Sequence, residues 1–298
     1  MKSPSLRLSL GWLYRWRSVC KHVRLANENK NKGKYSAQAG ARMSVDVAEI
    51  EAFYRRPDGL VVAQLLRQDL QRLETIWTNP KAASALATQQ EAVAVGFPFA
   101  LLAQEALPAV LMPAETGALA WPGSDGVTVA SIDSAAWPLA TEMCNHIFAL
   151  HALEHVRDQQ GFLDEAWRCL RSSGELVLIV PHRRGLWAHA DKTPFGQGRP
   201  FSRRQIVRQL EQAGFEVTIV KPSLFVPAFG LRLPSSIRHR LNRLGRFVWP
   251  MFGGVLIIRA IKKLYSPHQV ANPALRHRVR QFIVRQPAGA ISPKNRHL

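Results

Sequence analysis

Between Cys144 and Val180 the chain reads CNHIFALHALEHVRDQQGFLDEAWRCLRSSGELVLIV. Ile147 to Leu150 is a short apolar run, as a buried strand would be. A helical pattern follows from Gln159 to Leu170, then a polar turn, Ser172-Ser173-Gly174. Leu176 to Val180 is a second, strongly apolar strand. A strand, a helix and a strand in so short a span predict a parallel pair joined by a crossover.

The pattern extends in both directions. Ala92 to Val95, Ala109 to Met112 and Val127 to Ile132 are short apolar runs upstream. Phe215 to Val220 and Val255 to Ile261 continue the series downstream. Helical periodicity marks Val45 to Tyr54, Leu60 to Trp77, Phe99 to Ala106 and Arg203 to Ala213. Ser202 stands at the N-cap position of the last of these, and Gly214 stops it. The expected fold is α/β: a doubly wound, mostly parallel, seven-stranded sheet.

Charge is distributed unevenly. Of the net +19, residues 1–42 hold ten Lys/Arg and one acid, and residues 231–298 hold fourteen Lys/Arg and no acid. The body between them is slightly acidic. The expected organisation is a basic extension at 1–42, disordered or preceding a true start at Met43, a domain at 43–265, and a basic tail at 266–298. Such tails are solvated, or they contact nucleic acid or an anionic surface through phosphate groups. Three cysteines, Cys20, Cys144 and Cys169, form no CxxC pair, which argues against a disulfide framework and fits a reducing cytoplasm. No apolar run reaches the roughly 18 residues of a membrane span, and Arg7, Arg15 and Arg17 interrupt any signal-peptide core. The expected location is cytoplasmic.

His151-Ala-Leu-Glu154-His155 matches H-x-x-E-H, a zinc-peptidase pattern when it lies on a helix. Such a site also needs a downstream carboxylate, and no acid occurs after Glu216. The expectation is therefore no metal site.

Several features in order, from Asp133 to Phe215, resemble the type 11-like domain of class I S-adenosylmethionine-dependent methyltransferases. They are Asp133 with Pro138 five residues on, Leu153-Glu154-His155-Val156, a turn at Leu170 to Gly174, Val180-Pro181, and Ala213-Gly214-Phe215. The family's Phe-Asp pair is Cys144-Asn145 here. The segments Arg183 to Trp187 and Thr193 to Ser202 resemble an elaborated loop in one bacterial branch; they read as a substrate cover or as a packed surface loop. The resemblance implies S-adenosyl-L-methionine as cofactor and an unidentified methyl acceptor.

The resemblance also assigns positions. Gly96 would remain of the Gly-rich turn after the first strand, where glycine lets the backbone approach the methionine portion. Ala94 replaces the turn's first glycine, and Phe97-Pro98-Phe99 replace the rest. Glu115 would accept the ribose hydroxyls or be a solvated loop residue. Asp133 would lie near the adenine amino group or cap a loop. Leu150 completes the cofactor-binding set. His151 and His155 would each be a general base for the acceptor or a satisfied structural histidine. Two other readings follow from the altered turn and the basic ends: a catalytically inactive module of the same fold, and an RNA-binding or RNA-modifying protein.

Overall fold

A computed structural model describes residues 46–73, 77, 91–102, 109–117, 128–232 and 234–263. The expected extension at 1–42 and tail at 266–298 lie outside the described residues. Seven strands form one sheet: β1 (Ala92–Gly96), β2 (Ala109–Pro113), β3 (Thr128–Ile132), β4 (Cys144–Leu150), β5 (Leu170–Pro181), β6 (Phe215–Ser223) and β7 (Val255–Lys262). Their order is β3-β2-β1-β4-β5-β7-β6. β1 pairs in parallel with β2 and β4, β2 with β3, and β4 with β5. β7 runs antiparallel to both β5 and β6. This is the expected doubly wound, mostly parallel sheet. The order reverses between β1 and β4, and ligands of such sheets bind at the carboxyl ends of the strands beside that reversal.

Both faces of the sheet are covered, which explains why its strands are apolar runs rather than alternating ones. Ala94, Phe148, Val177 and Ile257 face one core, packed by α1 (Val47–Arg55) and α2 (Pro57–Gln71). Val95, Ile147, Leu178 and Ile258 face the other, packed by α3 (Gln159–Cys169) and α5 (Arg203–Gln212). A short helix, α4 (Pro194–Gln197), interrupts the loop after β5, and α6 (Ser235–Val248) joins β6 to β7.

Local chemistry sets the boundaries. Asp46 accepts from Ala48 N at 3.0 Å and opens α1. Pro57 opens α2, because its missing N–H is an orphan at a first helical position anyway. Ser202 Oγ accepts from Gln205 N at 3.2 Å to start α5, and Gly214 ends it at φ +90°. Cys144 and Cys169 are buried free thiols, both pushed up to about 12, mainly by burial.

Three expectations change. The helix expected over Phe99–Ala106 is a 3-10 turn at Pro98–Ala100, where Leu101 N and Leu102 N both donate to Pro98 O; residues 103–108 lie outside the described residues. β5 starts at Leu170, so the expected turn at Ser172–Gly174 is absorbed into the strand. A register irregularity in its pairing with β4, and Ser173 at φ +63°, accommodate this. α6 has no counterpart in the sequence reading, because its arginines mask an apolar stripe.

Candidate active site

The carboxyl ends of β1 and β4 meet at Gly96 and Leu150, which are register partners. Gly96 has φ +82°, and a Cβ there would lie 2.2 Å from Leu150 O and 2.8 Å from His151 O. Glycine is therefore required by the fold itself at this crossing, whatever binds above it. Leu150 is fully buried, and its carbonyl accepts from Phe97 N at 2.7 Å.

α1 lies across this rim. Val47 N donates to Thr116 O, just past β2, at 2.8 Å, and Tyr54 reaches the end of β4. The Tyr54 ring stacks on Phe97, with centroids 5.8 Å apart and planes 11° apart. Arg67 of α2 fixes the turn after β1 from the other side, donating to Ala100 O at 2.8 Å and Leu101 O at 3.2 Å. A cleft opens beside Tyr54 and is lined by Glu51, Arg55, Arg67, Phe97 and Phe99.

Beyond β4 the chain turns sharply at His151, a non-glycine residue at φ +52°. A left-handed residue inside an ordered turn costs about 1–2 kcal/mol and persists only where its surroundings hold it. Here they do. His151 Nε2 stands 2.8 Å from Tyr54 Oη, its Nδ1 stands 3.1 Å from Glu154 Oε1, and Phe195 of α4 packs 4.6 Å from its ring. With Glu154 ionised, one tautomer satisfies both contacts. Nδ1–H donates to the carboxylate, and Nε2 accepts from the tyrosine hydroxyl.

Burial disfavours the Glu154 carboxylate, but the His151 hydrogen bond and the His155 and His151 charges outweigh it and hold its pKa below the ordinary carboxylate value. Burial first, then the Glu154 charge, raises the Tyr54 phenol well above its ordinary range. His155 is lowered, mainly by burial against the opposing pull of Glu154. Its Nε2 and Glu154 Oε2 are buried without hydrogen-bond partners.

His151, Glu154 and His155 thus lie on a turn, not on the helix that the H-x-x-E-H pattern requires. One donor atom from each falls within 4.8 Å of the others. Both ring nitrogens of His151 are nevertheless occupied, by Tyr54 and Glu154, and the arrangement is a hydrogen-bonded relay.

The rim beyond β2 and β3 differs. Glu115, just past β2, accepts from Ser134 Oγ at 3.3 Å and from Arg157 N at 3.4 Å, both on Oε1. Loops after β2, β3 and β4 therefore converge on one carboxylate. Among the described residues its Oε2 is buried with no partner, and a buried carboxylate oxygen left unpaired is costly. Asp133 is exposed, and its Oδ1 caps its own loop by accepting from Ala135 N at 3.0 Å. Asn145 donates to Glu91 Oε2 at 2.9 Å, a structural link at the edge of β4.

The elaborated loop after β5 is packed. Trp187 is buried, and its Nε1 donates to Val226 O at 2.8 Å. Tyr54, Glu154 and Phe195 are the site residues that sequence reasoning did not single out. Tyr54 stands 97 positions from His151, and only the Glu154 of the quoted motif carried any signal.

Residues 120–220 match the family model described as a methyltransferase domain. With the sheet above, this agrees with the resemblance to class I S-adenosylmethionine-dependent methyltransferases, and the cofactor that the resemblance implies is S-adenosyl-L-methionine. The orphaned Glu115 Oε2 fits the hydroxyl donors of that group. Among solved structures, the chain is similar to an S-adenosylmethionine-dependent methyltransferase of Thermotoga maritima, with 17% identity over 73% of this chain and 96% of that one, TM-score 0.47. It is also similar to one from Mesorhizobium loti, with 16% identity over 58% of this chain and 90% of that one, TM-score 0.40. A comparison with curated proteins found no match. No helix among the described residues is long and apolar enough to cross a membrane.

Proposed function

We propose that this protein transfers a methyl group from S-adenosyl-L-methionine to an acceptor whose proton is taken up by the Tyr54–His151–Glu154 relay. The buried, unpartnered Oε2 of Glu115 carries the reading, because it is a vacant acceptor where the ribose hydroxyls are expected. S-adenosyl-L-methionine, when bound, supplies a methyl already activated on a sulfonium, so the protein's work is positioning and proton handling. Gly96 and Leu150 border the methionine end, and Glu115 orients the ribose. Asp133 remains a candidate for the adenine end, since its Oδ1 holds Ala135 N and its second oxygen can accept from an amino group.

Tyr54 lines the cleft and bridges it to His151. As an acceptor loses its proton to the Tyr54 oxygen, the Tyr54 proton moves to His151 Nε2, and Glu154 stabilises the imidazolium that forms. His155 packs against the other side of Glu154, 3.9 Å from its Oε1, and keeps water from it.

The test is calorimetric titration of S-adenosyl-L-methionine into the full-length protein. Glu115→Gln keeps an oxygen for Ser134 and Arg157 but turns the vacant acceptor into a donor. Affinity should fall about tenfold to a hundredfold, as expected for losing hydrogen bonds to a charged group, and Tyr54→Phe should leave it intact. No binding to folded protein at millimolar cofactor would sink this reading. It would favour a second one, a non-catalytic module of the same fold. Pro98 supports that alternative, since it offers no N–H to a ligand and the Phe97 N–H is already spent on Leu150 O.

A further inference from the structure

Ten large apolar side chains are exposed among the described residues, and eight of them fall between Ile237 and Phe252. On α6, Ile237, Leu241, Leu244 and Val248 recur at i, i+4, i+7 and i+11, a continuous stripe down one side of the helix. The stripe runs on into Trp249, 60% exposed, and Phe247 beside it is 81% exposed. The opposite side of the helix is anchored. Asn242 is buried and accepts from Phe225 N at 3.1 Å. A Cβ on Gly245 would lie 2.6 Å from Phe225 Cβ. The helix is therefore held with its apolar stripe outward, and no described residue covers it.

The charge around the stripe is of one sign. α6 contains Arg238, Arg240, Arg243 and Arg246 and no acid, and no acid follows it anywhere in the sequence. Arg240 and Arg243 are exposed alongside the stripe. The helix leaves the fold from the end of β6, where Ser223 is level with Pro181 of β5 through Val255. That is the same rim of the sheet that carries His151.

We infer that α6 and the Trp249–Phe252 turn dock this protein on an anionic bilayer surface, with the helix axis in the interface plane. Aliphatic and aromatic side chains enter the boundary between headgroups and acyl chains, and flanking arginines pair with lipid phosphates. Charge complementarity excludes the other simple occupants. A second copy would set one acid-free, arginine-rich helix against another. A nucleic acid would satisfy the arginines but would leave the Ile-Leu-Leu-Val stripe in water. The body between residues 43 and 230 carries a slight net negative charge, so within the described fold the positive charge is concentrated on the α6 side. The inference does not depend on methyl transfer.

The experiment is co-sedimentation of full-length protein with vesicles of phosphatidylcholine alone and with about one third phosphatidylglycerol, a content that gives a substantial negative surface potential. Binding is expected to the anionic vesicles and to weaken in high salt. Leu244→Glu combined with Phe247→Glu leaves both basic termini intact and touches no buried contact. It should lower vesicle affinity about tenfold or more, with unchanged circular dichroism. Arg240→Ser should cost about fivefold. Three results would each overturn the inference. One is anionic-vesicle binding that survives the double glutamate variant. Another is equal binding to neutral vesicles. The third is a 30-nucleotide RNA that competes the protein off vesicles while binding the double variant as well as the unaltered protein.

Discussion

The two halves of the candidate site are built on opposite principles. At the carboxyl ends of β1 and β4 the backbone crossing and the His151 ring are fully engaged, although His155 Nε2 and Glu154 Oε2 have no hydrogen-bond partner among the described residues. Gly96 fits only as glycine, Phe97 N is spent on Leu150 O, and His151 is held on both ring nitrogens. At the ends of β2 and β3 the chain leaves a carboxylate oxygen of Glu115 buried and unpaired, and spends Asp133 on its own loop at the surface. The first half is over-determined by the fold, so its residues report stability when changed. The second half is under-satisfied, so under the proposed function Glu115 should report binding. The substitutions below are ranked by how hard they strain that division.

The largest effect is expected at the crossing of β1 and β4. Gly96→Val puts a branched side chain at positive φ and against two carbonyl oxygens. The backbone and overpacking costs together are roughly 3 kcal/mol or more, read as a shift of the urea midpoint at constant slope. Glu115→Gln, by contrast, should move stability by less than about 1 kcal/mol. Comparable losses from both would erase the distinction between the halves.

Glu154→Gln comes next. It leaves His151 Nδ1 an acceptor to donate to but removes the charge that His151 and His155 share, and about 1–3 kcal/mol should be lost. The pH dependence follows from the same cluster. His155 has a folded pKa below its ordinary value because of burial. Below about pH 6.5 the unfolded chain binds a proton there that the folded chain refuses, so stability falls on acidification from that point. His146 and His182 are lowered too, also chiefly by burial, and act in the same direction. Glu154, lowered overall, contributes stability above about pH 4.3 that is lost as pH falls through its folded value. Thermal midpoints measured from pH 7.5 to about 2.5 should therefore drop in two stages, the second below about pH 4.3. A midpoint that rises between pH 7 and 5.5 would contradict the assignment. His155→Gln should flatten the first stage.

The sequence revealed the halves unequally for the same reason. Strands buried on both faces advertise themselves as apolar runs, and all seven fall where those runs predict, within a few residues. The cap at Ser202 and the stop at Gly214 are local chemistry and were equally readable. Glu115 was singled out by its distance beyond β2, but only the fold shows that, among the described residues, Ser134 and Arg157 both meet one oxygen and leave the other without a partner. Tyr54 was invisible, because an aromatic residue on an amphipathic helix reads as core, and nothing local announces a histidine far along the chain. Asp133 could be read two ways, and the hydrogen bond to Ala135 N shows the loop cap in the free protein without deciding the other. α6 was hidden by composition, since four arginines in fourteen residues depress the mean hydropathy while the stripe stays intact in the periodicity.

Tyr54→Phe is the finer probe of the sealed half. It keeps the ring that stacks on Phe97 and removes only the hydroxyl on His151 Nε2, so it should cost about 1 kcal/mol. In the proposed enzyme, its larger signature is a methyl-transfer rate that loses its dependence on the relay, seen as an altered pH profile with cofactor affinity unchanged.

The smallest effect separates the two readings of Asp133. If the carboxylate does no more than cap its loop, Asp133→Ala removes one exposed hydrogen bond to Ala135 N and costs about 0.5–1 kcal/mol, as loop caps do. Calorimetric affinity for S-adenosyl-L-methionine should then match that of the unaltered protein. A loss of tenfold or more with little change in stability would mean that the carboxylate also meets the adenine amino group, through the oxygen that its loop does not use. In that case the nucleoside half is less finished in the free protein than its hydrogen bonds indicate, and Asp133 belongs with Glu115 as a group whose partner arrives with the ligand.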